Sequence, residues 1–234
     1  MRVQVPLLLL KQQSMTVVTA FPVPLFIKDL EPEQDVAADM EKYIQRFYKK
    51  TLGEYNERPT TLLGDSRDDY LVHLQPEFDW LNEQIGEAAK EYLYEMGVDL
   101  QKVNIYAQKS WPVVCENTGS IPSHAHKNAI ISCVFYLNEP NNDSGALRFE
   151  SQNCMSYLPL VHKDTDFHYD KVRLLPLKHR LVMFPASMMH SVEDYIGETP
   201  RFSISYDLIV VGSDPPGNGD FEHYIMDPCY WEKL

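Results

Sequence analysis

Apolar side chains recur at three- and four-residue intervals in two early stretches of the chain and then give way to short β-rich runs. Residues 32–53 place Val36, Met40, Tyr43, Ile44 and Phe47 on one stripe that closes at Gly53, which predicts an amphipathic helix. Residues 76–97 repeat the pattern with Phe78, Leu81, Ile85, Ala88, Ala89, Tyr92 and Met96 between Pro76 and Gly97, a second packing helix. The segment between them, residues 56–69, is polar and turn-rich and reads as a loop. From Val103 onward the apolar runs shorten and are bounded by Pro, Gly, Asn and Asp. Strands are predicted at residues 103–107, 130–137, 146–150, 172–175, 180–184 and 202–211, with weaker ones at 111–115, 157–161 and 191–195. Short strands after a helical flank predict a mainly-β (α+β) fold, a jelly-roll core supported on its outer face by the helices.

Composition narrows this picture. A chain of 234 residues with 44% hydrophobic content suits one domain, with a helical flank at about residues 25–100, a β core at about 101–211 and an aromatic tail at 212–234 that wraps back. The net charge of −13 repels polyanions and anionic lipid surfaces, which argues against nucleic acid and membrane as partners. The apolar residues 7–10, bracketed by Pro6 and Lys11, are too short for a secretory signal. No stretch approaches the roughly 18 apolar residues of a membrane span. Cys115, Cys133, Cys154 and Cys229 form no C-x-x-C pair, so free thiols in a reducing, cytoplasmic compartment are expected.

Candidate chemistry concentrates around His124-Ala125-His126. On an extended strand, residues two apart point to the same face, where two imidazoles can share one metal. The preceding residues 116–123 read as a loop, so the pair would sit where a strand begins and solvent can enter. His190 follows 64 residues after His126, and Arg201 comes 11 residues later in the run Pro200-Arg201-Phe202-Ser203-Ile204-Ser205-Tyr206. His162 and His168 lie among Asp164, Asp166 and Asp170, a segment suited to substrate contacts or a second metal. Both nonetheless read first, like His73, His179 and His223, as ordinary surface or core residues.

The order of these pieces carries a resemblance. His-x-His, then Phe135-Tyr136-Leu137-Asn138, then Gly145-Ala146-Leu147-Arg148-Phe149, then Phe184-Pro185 leading to His190, then Arg-x-Ser, resembles the 2-oxoglutarate and iron(II)-dependent oxygenases, whose core is a double-stranded β-helix. The Tyr-Leu-Asn strand end is similar to that of prolyl-hydroxylase-like members, and Phe21-Pro22-Val23-Pro24 resembles the opening of a bacterial and phage subgroup. The likeness is good over residues 103–211 and loose before them.

The resemblance implies roles residue by residue. His124 matches the first metal ligand and His190 the distal histidine. Arg201 and Ser203 match the pair that holds the far carboxylate of 2-oxoglutarate, and Tyr136 matches a tyrosine reaching the same carboxylate, though it reads equally as a core aromatic. Tyr106, beside Asn104 and Trp111, reads first as a core residue and, by the same analogy, as a candidate cosubstrate contact. Fe(II), 2-oxoglutarate and O2 are the implied cofactors, and the implied reaction is hydroxylation of a small molecule or a peptide or protein side chain.

Two positions depart from the pattern. His126 stands where an Asp or Glu ligand is usual, giving three histidines in place of two and a carboxylate. Lys178-His179-Arg180 stands where a glycine turn is expected. The first departure leaves two other readings open: a cupin-like three-histidine dioxygenase that does not use 2-oxoglutarate, and a non-catalytic metal- or ligand-binding jelly roll.

Overall fold

A computed structural model of the chain describes residues 23–51, 60–62, 71–138, 144–151, 171–213 and 225–233. Both predicted helices are present as α1 (Gln34–Thr51) and α2 (Asp79–Glu95), the latter entered through a 3-10 turn at Pro76–Phe78. Proline suits that first turn because its missing N–H would have had no partner there. Gly97 adopts a left-handed φ of 80°, and the next N–H, from Val98, bonds back to the Leu93 carbonyl, which closes the helix.

Ten strands among the described residues form two antiparallel sheets. They are β1 (Phe26–Asp29), β2 (Thr60–Leu62), β3 (Val103–Cys115), β4 (Ile121–His124), β5 (Ile131–Tyr136), β6 (Leu147–Glu150), β7 (Lys171–Leu174), β8 (Arg180–Pro185), β9 (His190–Val192) and β10 (Arg201–Gly212). The major sheet runs β1-β8-β5-β10-β3-β2 and the minor sheet β4-β9-β6-β7. This is a double-stranded β-helix with a helical flank.

Several boundaries differ from expectation. The strands predicted at 103–107 and 111–115 are one, β3, because a bulge at Gln108 lets the polar stretch between them stay in register with β10: Asp207 pairs with Lys109 and Leu208 with Ala107. Residues 60–62, inside the predicted loop, pair with β3 as an edge strand. The predicted strand at 157–161 lies outside the described residues. Residues 178–180 make the expected turn without glycine, since His179 itself takes a left-handed φ of 62°. Its ring lies parallel to that of Phe135 at 6.0 Å, and its N–H donates to the Tyr136 carbonyl.

The period of two along β10 divides the molecule. Phe202, Ile204, Tyr206 and Leu208 face the helices and join Ile131, Cys133 and Phe135 of β5, with Met40 and Ile44 of α1 and Leu81, Ile85 and Tyr92 of α2, in the main core. Arg201, Ser203, Ser205 and Asp207 face the other way, toward the minor sheet. There a smaller cluster of Tyr136, Leu147, Phe149, Val182 and Phe184 joins the two sheets. The helices therefore stiffen the back of the sheet whose front carries the polar residues.

Phe135 is fully buried and meets Trp80 of α2 edge-on at a ring separation of 6.3 Å, coupling the helical layer to the sheet. Phe135→Ala should cost about 3–5 kcal/mol, the transfer term plus a cavity. Urea unfolding checks this: the midpoint should fall with an unchanged slope.

Candidate metal centre

Strand register supplies two of the imidazoles. His124 ends β4, His190 opens β9, and the two are partners across the antiparallel ladder, so their side chains leave one face together with ring centroids 4.3 Å apart. His126 arrives differently. It lies beyond the end of β4, and its N–H donates to the Ala186 carbonyl at 2.9 Å, which carries its ring across to the major sheet. The His-x-His pair thus straddles a strand end. The expectation that it opens a strand after a loop is corrected, since Ile121–His124 is itself the strand.

Each ring is tied back through its Nδ1. His124 Nδ1 meets the Pro122 carbonyl at 2.8 Å, His190 Nδ1 meets the Met188 carbonyl at 2.8 Å, and His126 Nδ1 meets Asp207 Oδ1 at 2.5 Å. Carbonyl and carboxylate oxygens only accept, so these contacts place the hydrogen on Nδ1 and leave Nε2 with its lone pair. The Nε2 atoms of His124 and His126 face each other at 3.3 Å, and one ring nitrogen from each of the three histidines lies within 4.8 Å of the others. Burial pushes His190 down to about 4 and lowers His124 as well, so both are neutral at neutral pH. Three ring nitrogens converging in this way form a group that could hold a metal ion.

One cavity of about 270 Å³ takes in His124, His126, His190, Tyr136, Arg201 and Ser203. The six residues given metal-binding or carboxylate-binding roles from the sequence therefore line one cavity. Arg201 is 1% exposed. Its Nη1 donates to the Gly145 carbonyl at 2.5 Å, its guanidinium lies 5.5 Å from the Tyr136 ring centre and 5.8 Å from that of Tyr195, and its Nε has no hydrogen-bond partner among the described residues. A buried cation with a donor to spare suits a carboxylate-bearing ligand.

Comparison with known proteins agrees. Residues 109–207 match the family model "Putative 2OG-Fe(II) oxygenase", and every residue lining the cavity falls within that segment. That segment is similar to the 2OG-Fe(II) oxygenases. No curated protein matches it significantly, and its likeness to solved structures is one of fold. It is similar to AviO1 from Streptomyces viridochromogenes Tue57, at 13% identity and a TM-score of 0.55 over 84% of this chain and 93% of that one. HygX from Streptomyces hygroscopicus, with nickel and 2-oxoglutarate bound, is similar at 9% identity and a TM-score of 0.52 over 80% of this chain and 82% of that one. A prolyl hydroxylase from Trichoplax adhaerens, in complex with a hypoxia inducible factor peptide fragment, is similar at 14% identity and a TM-score of 0.50 over 78% and 83%. The matched family is one of iron(II) and 2-oxoglutarate, and the histidine trio is a site that could hold a metal ion.

Within the fold, cross-strand rungs set the site on the major sheet. Asp207 lies between Lys109 and Ser132, Ser205 between Trp111 and Val134, and Ser203 between Val113 and Tyr136. Asp207 is fully buried; Ser132 donates to its Oδ1 at 2.6 Å and the Lys109 ammonium lies 2.9 Å from its Oδ2. Burial alone would push its carboxyl up, but the hydrogen bonds from His126 and Ser132 and the Lys109 contact outweigh burial and hold it below the usual value. Sequence reasoning missed Asp207, Ser132 and Lys109. The signal for Asp207 was present, since the polar positions 201, 203, 205 and 207 alternate through an otherwise apolar strand.

Tyr106 is not where the analogy placed it. Its hydroxyl donates to Asp227 of the tail at 2.6 Å, and it lines a separate cavity of about 570 Å³ with His73 and Asn82, on the far side of β3 from the histidines. Asn104 also donates to Asp227, at 2.9 Å, so both residues tie down the tail. Trp111 does border the site, with its ring 5.6 Å from that of His126. His162 and His168 lie outside the described residues. Among the described residues, no helix is long and apolar enough to cross a membrane.

Gly145 holds a left-handed φ of 66°, and a Cβ there would stand 2.5 Å from Arg201 Nη1 and 3.2 Å from Tyr195 Cβ. Gly145→Ala should therefore destabilise the fold by about 1–3 kcal/mol through backbone strain and displacement of the guanidinium. Chemical denaturation without ligands reads this directly; an unchanged midpoint would contradict it.

Proposed function

We propose that the chain is a single-domain hydroxylase in which His124, His126 and His190 hold iron(II), while Arg201, Ser203 and Tyr136 hold the far carboxylate of 2-oxoglutarate. The observation that carries this reading is the buried Arg201, with an unpartnered Nε, in the same cavity as three converging imidazoles. A three-histidine dioxygenase without 2-oxoglutarate has no use for that guanidinium, and neither has an empty jelly roll.

The protein's own contributions follow from the geometry. The guanidinium offers a planar fork to a carboxylate, and its stacking between Tyr136 and Tyr195 fixes the direction of that fork. Ser203, 3% exposed, adds a hydroxyl from the same strand face. The Nδ1 hydrogen bonds orient the three rings before any metal arrives. Val113, Val134, Leu147, Phe184 and Val192 give the cavity apolar walls. When bound, iron(II) and 2-oxoglutarate would let O2 oxidise both the cosubstrate, which would leave as succinate and CO2, and a substrate C–H bond, each taking one oxygen atom. The substrate is a small molecule or a peptide side chain; support for the latter is the peptide held by the Trichoplax fold relative.

Anaerobic titration of the iron(II) protein with 2-oxoglutarate tests the reading. The weak visible charge-transfer band of the chelate should appear in wild type, and succinate should form when oxygen is admitted. Absence of both sinks the proposal. His124→Ala and His190→Ala should each abolish tight iron(II) binding, and undiminished uptake in both would remove the metal assignment. Arg201→Ala should raise the apparent 2-oxoglutarate constant at least tenfold, because a charge-assisted pair is worth about 1.5–3 kcal/mol. An unchanged constant would end that role.

A further inference from the structure

The three histidines are not held alike. His124 and His190 each turn Nδ1 onto the carbonyl two residues before them, Pro122 and Met188. His126 makes no such local bond and instead reaches a carboxylate 81 positions away in sequence, at 2.5 Å. That carboxylate, Asp207, is wholly buried in the centre of the major sheet, where an ionised group is costly unless firmly compensated. The fold compensates it with hydrogen bonds from Ser132 and His126 at Oδ1, while Oδ2 makes no hydrogen bond among the described residues and is offset by the Lys109 ammonium 2.9 Å away. The odd member of the trio is also the one standing where a carboxylate ligand is usual.

We propose that Asp207 is a positioning residue that supplies, through His126, the negative charge a carboxylate ligand would otherwise bring to the metal. This rests on the reading of His126 as a ligand. Three neutral imidazoles give a dication no charge relief, whereas two imidazoles and a carboxylate give it one negative charge. A short charge-assisted bond from Nδ1–H to Asp207 draws that proton away from the ring and raises the donor strength of Nε2. It also fixes the plane of a ring that no strand holds. Ser132 and Lys109 keep the two carboxylate oxygens in place, and the Lys109 ammonium, about one-third exposed, limits how much charge reaches the ring.

Iron(II) affinity, measured anaerobically by calorimetry with a competing chelator, tests this in wild type, Asp207→Asn, His126→Ala and the double variant. Asp207→Asn should weaken binding about 10–100-fold. In the His126→Ala background the same change should cost at least threefold less, because its route to the metal is gone. No loss in Asp207→Asn, or a loss within threefold in the two backgrounds, overturns the proposal. If His126→Ala itself leaves affinity unchanged, the ligand reading of His126 has failed, an outcome separable from failure of Asp207 alone. Should Asp207→Asn not fold, wild-type protein labelled with 15N at histidine and loaded with zinc(II) gives a second readout. The Nδ1–H proton of His126 should resonate downfield of those of His124 and His190. A His126 resonance no further downfield than theirs, or coordination of His126 through Nδ1, overturns the proposal.

Discussion

Like lone pairs pressed together are the constraint on which this molecule turns. Three imidazoles have their Nδ1 atoms tied to Pro122, Met188 and Asp207, so their remaining nitrogens are held close together, those of His124 and His126 at 3.3 Å. A divalent cation resolves the crowding. On the metal-site reading proposed above, affinity for a cation comes from this preorganisation, and the surrounding structure keeps the rings from turning away.

That task falls on both sheets. The minor sheet sets two rings by pairing His124 with His190. The major sheet sets the third through Asp207, and it sets Arg201 on the same face of the same strand. Because β10 lies between β3 and β5, its polar face is the best-supported position in the molecule, backed by Phe202, Ile204, Tyr206 and Leu208 against the helices. A one-residue slip of β10 would turn Arg201, Ser203 and Asp207 toward the helices and bring the apolar set into the cavity. Register and chemistry are therefore specified by one alternating pattern.

Much of this was legible in the sequence, for identifiable reasons. Helix periodicity in the flank and the run of short strands gave the architecture, and the order of His124, His126, His190 and Arg201 brought the site's residues together on paper. What could not be read was tertiary. Nothing local says that His126 leaves β4 and crosses to the other sheet, since Ala186, which holds its backbone, is 60 residues away in sequence. The bulge at Gln108 hid the continuity of β3. Tyr106 looked like a cosubstrate contact because adjacency along a strand was taken for adjacency to the cavity, while the tail residue Asp227 claims it instead. Asp207 was readable from the period of two, yet a single charge in an apolar strand attracts attention only once its partner is seen.

The central claim is a centre of three imidazoles with no carboxylate bound directly to the metal. X-ray absorption on the anaerobic iron(II) protein, before 2-oxoglutarate is added, measures this most directly through the outer-shell scattering that imidazole rings produce. The account predicts a signal requiring three imidazoles with the remaining positions filled by water. A shell satisfied by two imidazoles and a carboxylate would contradict it.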